Sequence, residues 1–259
     1  MTTQSEGLSK RHKDMNNEGN HLNDDSKLSE KTLNESIHEI IDYAKKKFEP
    51  LGYSIIAENT ISLYECQKYF QMVGGPEPNS ENKKYYMKPD GGIIYALKDS
   101  KKIPILIVED KVQGTNDKLY CQDKKRQSTG NAIERAAKNI RGAEMMFVSQ
   151  DIFPYVLFAA GCDFHITETI SKRIEMMNMG YPNHYINIDD KITPEKVQIN
   201  IEKIISEINI SKRCGRSIAS VFIKAHKWDK MNHYSSLWKK EERVYIMKNI
   251  IDKVFMSFS

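Results

Sequence analysis

The sequence predicts an α/β protein with a central mixed β-sheet flanked by helices on both faces. Three observations carry this reading. Two runs rich in β-branched residues, GGIIYALK and IPILIVEDK, follow one another across the polar turn KDSKK, as a hairpin requires. Further apolar runs of strand length, YVLFAAG, HYINI and ASVFIKA, are spread along the second half. Around them lie segments whose apolar residues recur at helical spacing, and strands interleaved with such helices pack as α/β layers.

In chain order, Met1 to about Asn34 is rich in Ser, Asn, Asp, Glu and Lys and nearly free of large apolar groups. Such a stretch buries too little surface to offset its ordering entropy, so residues 1–34 read as a disordered arm. Residues 35–259 read as a single domain. SIHEIIDYAKKKFEPLGY places Ile37, Ile40, Ile41, Tyr43, Ala44 and Phe48 on a helical stripe, stopped by Pro50 and Gly52. SIIAENTISLYECQKYF predicts a short extended piece and then a second helix, and VGGPEPNSENKK a loop. After the hairpin, GNAIERAAKNIRGAEMMF repeats Ala132, Ile133, Ala136, Ala137, Ile140, Ala143 and Phe147 at helical spacing, with Gly130 and Asn131 at its start. ITETISKRIEMMN, PEKVQINIEKIISEI and EERVYIMKNIIDKVF predict three further helices, the second with proline in its first turn.

Composition narrows the class without naming it. At 259 residues the chain suffices for one large domain with a sizeable core. A formal charge of +4 permits a basic groove but does not by itself argue for nucleic acid. Cys66, Cys121, Cys162 and Cys214 lie far apart, outside any CxxC or Cys/His zinc spacing, and read as reduced thiols in a cytoplasmic protein. The first twenty residues lack the apolar core of a secretory signal. Nor does any apolar run approach the roughly 20 residues of a membrane span.

The chemistry concentrates at the hairpin. Pro89-Asp90 opens its first strand and Glu109-Asp110-Lys111 ends the second. Alternate side chains of a strand share a face, so Glu109 and Lys111 point together and Asp110 points away. A short turn brings Asp90 beside that pair. Two carboxylates and a lysine form a hard, oxygen-rich site suited to Mg²⁺, and the lysine can polarise or deprotonate a water beside a phosphate. The same spacing also arises from a turn followed by a solvated strand end. Its position tells against that alternative, because the charges interrupt an apolar strand.

KPDGG, VEDKVQG, GNAIERAAKNI and FPYVLF occur in the order and at the separations found in the EcoRI-type type II restriction endonucleases, nucleases with a PD-(D/E)XK site. The resemblance runs from about Tyr43 to Met179, and GNAIER is its specific part. It implies the restriction-endonuclease-like sandwich, a Mg²⁺ ion held by Asp90, Glu109 and the main-chain carbonyl of Asp110, and a water positioned or activated by Lys111. It also places Gln113 on the same active-site strand. Where the family has a small apolar residue, this chain has Asp110. A carboxylate on the opposite face is costly if buried alone, so it is expected to be paired or exposed.

An asparagine amide can bond the N6 and N7 edge of adenine, and helix-start amides can meet phosphate. Asn131 could equally serve as a plain helix cap, and Glu134 and Arg135 as a solvated helix face. The resemblance implies that Gly130, Asn131 and Ala132 lie against the inner A·T pairs of an AATT core. It implies too that Glu134 and Arg135 couple base contacts to the dimer and the scissile phosphate. Arg173 aligns with one recognition arginine of the family. Met176 aligns with a second and cannot donate to guanine, so the outer base pair is expected to be relaxed or different. A palindromic site read once per half implies a homodimer on double-stranded DNA, and the resemblance further implies 5′ overhangs with 5′-phosphates and a cognate DNA methyltransferase in the same restriction–modification system. A repair or junction-resolving nuclease would share Asp90, Glu109 and Lys111 without GNAIER, and a non-catalytic DNA-binding relative has no need of the intact acid–acid–lysine set.

Overall fold

Helix α1, Leu22–Phe48, begins well before the apolar stripe that announces it. Ser29, Leu33, Ser36, Ile40, Ala44 and Phe48 are its buried positions and fall on one face at spacings of three and four. The expectation of an arm reaching to residue 34 is therefore corrected: Leu22 to Asn34 is helical, and Ser29 and Leu33 are buried within it. Composition concealed this, because among the described side chains of that stretch the buried ones are a single leucine, Leu33, and a serine, Ser29. A 3-10 turn, Glu49–Leu51, follows and closes on Gly52, whose φ of 81° is left-handed.

The computed structural model describes residues 22–70, 78–114, 122–124, 130–147, 149–150, 153–165, 172, 183–188, 194–207, 219–226 and 237–258. The helix expected over ITETISKRIEMMN lies outside them save Lys172, as do Arg173, Met176, Cys121, Cys214 and the arm before Leu22.

The remaining strands and α-helices are β1 Ser54–Glu58, β2 Ile61–Ser62, α2 Leu63–Tyr69, β3 Tyr86–Met87, β4 Gly92–Lys98, β5 Lys101–Val112, α3 Gly130–Met146, β6 Tyr155–Ala160, β7 Asn183–Ile188, α4 Pro194–Glu207, β8 Ala219–His226 and α5 Lys240–Met256, with two further 3-10 turns at Ser80–Lys84 and Cys162–Phe164. Six strands form one sheet in the order β1-β4-β5-β6-β8-β7. β1, β4 and β5 pair antiparallel, while β5, β6, β8 and β7 pair parallel, so the sheet is mixed. β2 and β3 make a separate two-stranded ribbon.

Two short cores sandwich the sheet. On one face α1 and α5 pack over Ile94, Leu106, Val108, Val156, Phe158 and Phe222. On the other, α2 and α3 pack over Ile93, Tyr95, Ile107, Tyr155, Leu157 and Ile223. Odd and even residues of β6 thus divide between the two cores, and all six are buried, as a parallel strand covered on both faces must be. Within α3, every described member of the sequence stripe is buried: Ile133, Ala136, Ala137, Ile140 and Ala143, with Phe147 just beyond. Among the described residues no helix is long and apolar enough to cross a membrane.

The β4–β5 hairpin is tight. Asp99 and Ser100 both have positive φ, 49° and 65°, the backbone that a two-residue turn matching strand twist demands. A register shift at Ile94/Tyr95 leaves Ile105 as an extra residue, after which Ile94 pairs Leu106 and Gly92 pairs Val108. This bulge sets which face the last residues of β5 present.

Gly161, at the end of β6, has φ 120°, and a Cβ there would lie 2.0 Å from the Gln113 carbonyl oxygen. Gly161→Ala is expected to cost at least about 2 kcal/mol through strained φ and backbone collision. Denaturant unfolding measures it, and a loss within error of zero would show that the β5 and β6 ends do not approach as described.

Candidate active site

The hairpin delivers its charged residues to one place. Asp90 lies in the turn before β4, fixed by the Gly92 amide donating to the Pro89 carbonyl at 3.0 Å and the Gly91 amide donating to Val108 at 2.9 Å. Glu109 and Lys111 share the α3 face of β5. The Lys111 ammonium sits between the two acids, 2.6 Å from Asp90 Oδ2 and 2.5 Å from Glu109 Oε1. The Asp90 amide donates to Glu109 Oε2 at 3.2 Å, so the two acidic residues also touch directly.

Burial grades across this triad. The Glu109 side chain is 5% exposed, that of Lys111 26% and that of Asp90 44%, so the cluster opens outward from Glu109 through Asp90. Burial pushes the Glu109 carboxyl above its ordinary range against the pull of Lys111 and of the Asn139 amide. For Lys111, burial alone would lower the ammonium, but Glu109 and Asp90 outweigh it and hold the group above its ordinary value. Two negative charges and one positive leave a net negative site with a cation already at its centre. Its donor chemistry suits a hard divalent ion at the place Lys111 Nζ takes between the oxygens. Among the described residues no group of three or more His, Cys, Asp or Glu side chains gathers anywhere. A divalent ion here would draw its remaining donors from main-chain oxygen, water or a ligand.

Asp110 points away, as strand alternation requires, and its carboxylate is paired. Arg243 Nη2 on α5 lies 2.9 Å from both of its oxygens, and Ser29 Oγ on α1 donates to it at 2.6 Å. Only the main chain of Asp110 thus remains on the site's side of the strand. Gln113 lies just past the end of β5, its amide donating to Ala160 at 2.9 Å and its carbonyl accepting from Asp163 at 3.2 Å.

Gly130, Asn131 and Ala132 open α3, but their side chains lie outside the described ones. Glu134 is half-buried and Arg135 exposed. Arg135 stands one helical turn before Asn139, a residue that sequence reasoning missed. Asn139 Nδ2 donates to Glu109 Oε1 at 2.5 Å and so ties the recognition-candidate helix to the acid cluster. A polar Asn139 between Ala137 and Ile140 of the stripe carried no signal of its own. Tyr155 was missed too. Its hydroxyl is buried with no hydrogen-bond partner among the described residues, and burial together with the nearby Glu109 and Asp90 charges drives it well above its usual range.

A mixed sheet sandwiched by helices, with a hairpin that ends in an aspartate on one strand and Glu-x-Lys on the other, defines a restriction-endonuclease-like α/β protein. The chain belongs to the restriction endonuclease EcoRI family, whose sequence profile matches residues 16–256. It is 32% identical over 151 residues to the type II restriction enzyme EcoRI of Escherichia coli, covering 54% of this chain and 53% of that enzyme. It is 28% identical over 162 residues to the type II restriction enzyme RsrI of Cereibacter sphaeroides, covering 55% and 57%. The chain thus spans little more than half the length of either curated relative it matches.

The burial of Glu109 has a consequence for stability. Since its folded-state carboxyl titrates above the ordinary value, the folded protein holds that proton more tightly than the unfolded chain. That contribution to stability is present below the unfolded value and is lost as pH rises through the folded one. Lys111 keeps Asp90 as partner when Glu109 is neutralised, so burial decides the sign. Glu109→Gln is expected to unfold, at neutral pH, at a temperature equal to or above the parent's. A clear drop in melting temperature would contradict this.

Proposed function

We propose that this protein is a Mg²⁺-dependent type II restriction endonuclease acting on double-stranded DNA at a short AATT-centred palindrome, leaving 5′ overhangs with 5′-phosphate ends. The observation that carries the reading is the Lys111 ammonium bridging Asp90 and Glu109 at the open end of the hairpin. A cluster of opposed charges held in place in the free protein is pre-organised for work on a phosphodiester.

Asp90, Glu109 and the main-chain carbonyl of Asp110 are the groups that would hold Mg²⁺. That ion, when bound, would neutralise charge developing on the phosphate and acidify a water. Glu109 is the fixed member of the set, because Asn139 and the Asp90 amide restrain both of its oxygens. Asp90, more exposed, meets the incoming phosphate first. In the free protein the carboxylate neighbours of Lys111 favour its protonated form. Its part is accordingly to donate to and orient the attacking water or a phosphate oxygen, and proton abstraction by Lys111 requires the pull of those carboxylates to be relieved first. Gln113, just past the end of β5, would extend the polar lining.

Sequence reading is assigned to the start of α3. Gly130, Asn131 and Ala132 would face the inner A·T pairs, with Glu134, Arg135 and Arg173 completing the contacts. The one-turn spacing of Arg135 and Asn139 supports a link between this surface and the cleavage centre. A palindrome read once per half calls for a homodimer with one centre per strand. The enzyme would work in the cytoplasm, where a cognate DNA methyltransferase protects the host's own sites.

Incubating DNA of known sequence with the protein in Mg²⁺, and then sequencing the ends, tests this reading. The expected result is a family of ends sharing AATT, absent in chelator and absent for Asp90→Ala, Glu109→Ala and Lys111→Ala proteins that remain folded. Asn131→Ala is expected to lose site discrimination. Ends without a common core would overturn the palindrome, and cleavage by Lys111→Ala at the parent rate would overturn the role given to Lys111.

A further inference from the structure

β4 supports β5 only as far as Val108, whose partner is Gly92. Beyond that point Glu109, Asp110 and Lys111 keep a single strand neighbour, β6, in register with Leu157, Phe158 and Ala159. On the other side the chain has already turned away at Pro89, leaving a long 3.4 Å contact from the Asp110 amide to Asp90 Oδ2. The segment that carries two of the three site charges is therefore held by strand-ladder pairing along one edge only.

What holds it from the reverse face is polar. The Asp110 side chain is 8% exposed and Arg243 fully buried. Arg243 donates from Nη2 to both Asp110 oxygens at 2.9 Å and to Ser29 Oγ at 2.6 Å, and from Nη1 to the Ser29 carbonyl at 2.9 Å. Ser29 Oγ in turn donates to Asp110 Oδ2 at 2.6 Å. One cluster thus joins α1, β5 and α5. The Arg243 guanidinium also lies 5.8 Å from the centroid of Phe158, the residue opposite Asp110 on β6. Stability alone does not call for such a cluster, because an apolar pair of similar volume stabilises a core as well as a buried ion pair. Directional bonds supply what apolar packing does not: they fix where Asp110 sits along and across the strand. Its two neighbours project to the opposite face and move with it.

We propose that Ser29, Asp110 and Arg243 are positioning residues that, from behind the sheet, hold the free end of β5 so that Glu109 and Lys111 meet Asp90 at the spacing a divalent cation needs. This rests on the nuclease reading above. Displacements near 1 Å suffice to spoil such a site.

The decisive variant replaces both charges together, D110A/R243M, since removing one alone leaves the other buried without a partner. Two quantities are read on the full chain: the melting temperature, and Mn²⁺ uptake followed by loss of the free-ion electron paramagnetic resonance signal. The parent is expected to take up Mn²⁺ and Glu109→Ala to lose it. The double variant is expected to melt close to the parent yet bind Mn²⁺ about 10- to 100-fold more weakly, the range typical when groups behind metal ligands are changed. Should the double variant fail to fold, R243K keeps the charge pair but lacks the planar fork that reaches Ser29 and Asp110 at once, and the same direction of weakening is expected. Parent-like Mn²⁺ affinity in a folded variant would overturn the proposal. A parent that takes up no Mn²⁺ in a Glu109-dependent manner would instead overturn the nuclease reading, and this proposal with it.

Discussion

A carboxylate on a side chain only 5% exposed, as in Glu109, must be compensated where it stands, and most of the site's architecture follows from that compensation. Lys111 supplies the charge, Asn139 and the Asp90 amide supply hydrogen bonds, and each comes from a different element. Lys111 is two residues along the same strand and therefore on the same face. Asn139 arrives from α3, whose apolar stripe is buried against the sheet. Asp90 arrives because the turn of Asp99 and Ser100 and the extra residue at Ile105 bring the start of β4 opposite Val108. Altering any one of these would leave a buried acid short of a partner.

The sheet itself enforces a division of labour between its two faces. Odd residues of β5 near its end, Glu109 and Lys111, look toward α3 and open toward solvent, while Asp110 between them looks into the core made by α1 and α5. A carboxylate at 110, nearly buried on that face, is accommodated by a complementary cation in that core. Arg243 is that cation, and Ser29 completes its bonding from the opposite helix. The polar character of the first half of α1 follows: a serine is buried there because an arginine needs an acceptor, and the helix starts earlier than its apolar residues suggest.

The local patterns were legible in the sequence, and so was the cluster they build. β-Branched runs flanking a short polar turn predict the hairpin, strand alternation predicts which of Glu109, Asp110 and Lys111 share a face, and helical spacing predicts the buried side of α3 residue by residue. Long-range polar partnerships were not legible. Arg243 meets Asp110 across 133 positions and Ser29 across 214, and no periodicity links such residues. Asn139 resembles any polar residue on a helix flank until the helix is docked. The start of α1 was hidden because burial by hydrogen bonding leaves no hydrophobic trace. The readings of Asn131 and Arg173 rest on likeness to the family, not on geometry.

If Asp90 and Glu109 form a divalent-cation site whose place Lys111 holds in the free protein, a bound ion must displace the ammonium. Anomalous scattering from crystals soaked in Mn²⁺ would locate that ion. The prediction is a peak between the two carboxylates, at roughly 2–2.5 Å from an oxygen of each, with Lys111 Nζ withdrawn from the midpoint. Occupied Mn²⁺ sites elsewhere, with Lys111 still bridging Asp90 and Glu109, would contradict it.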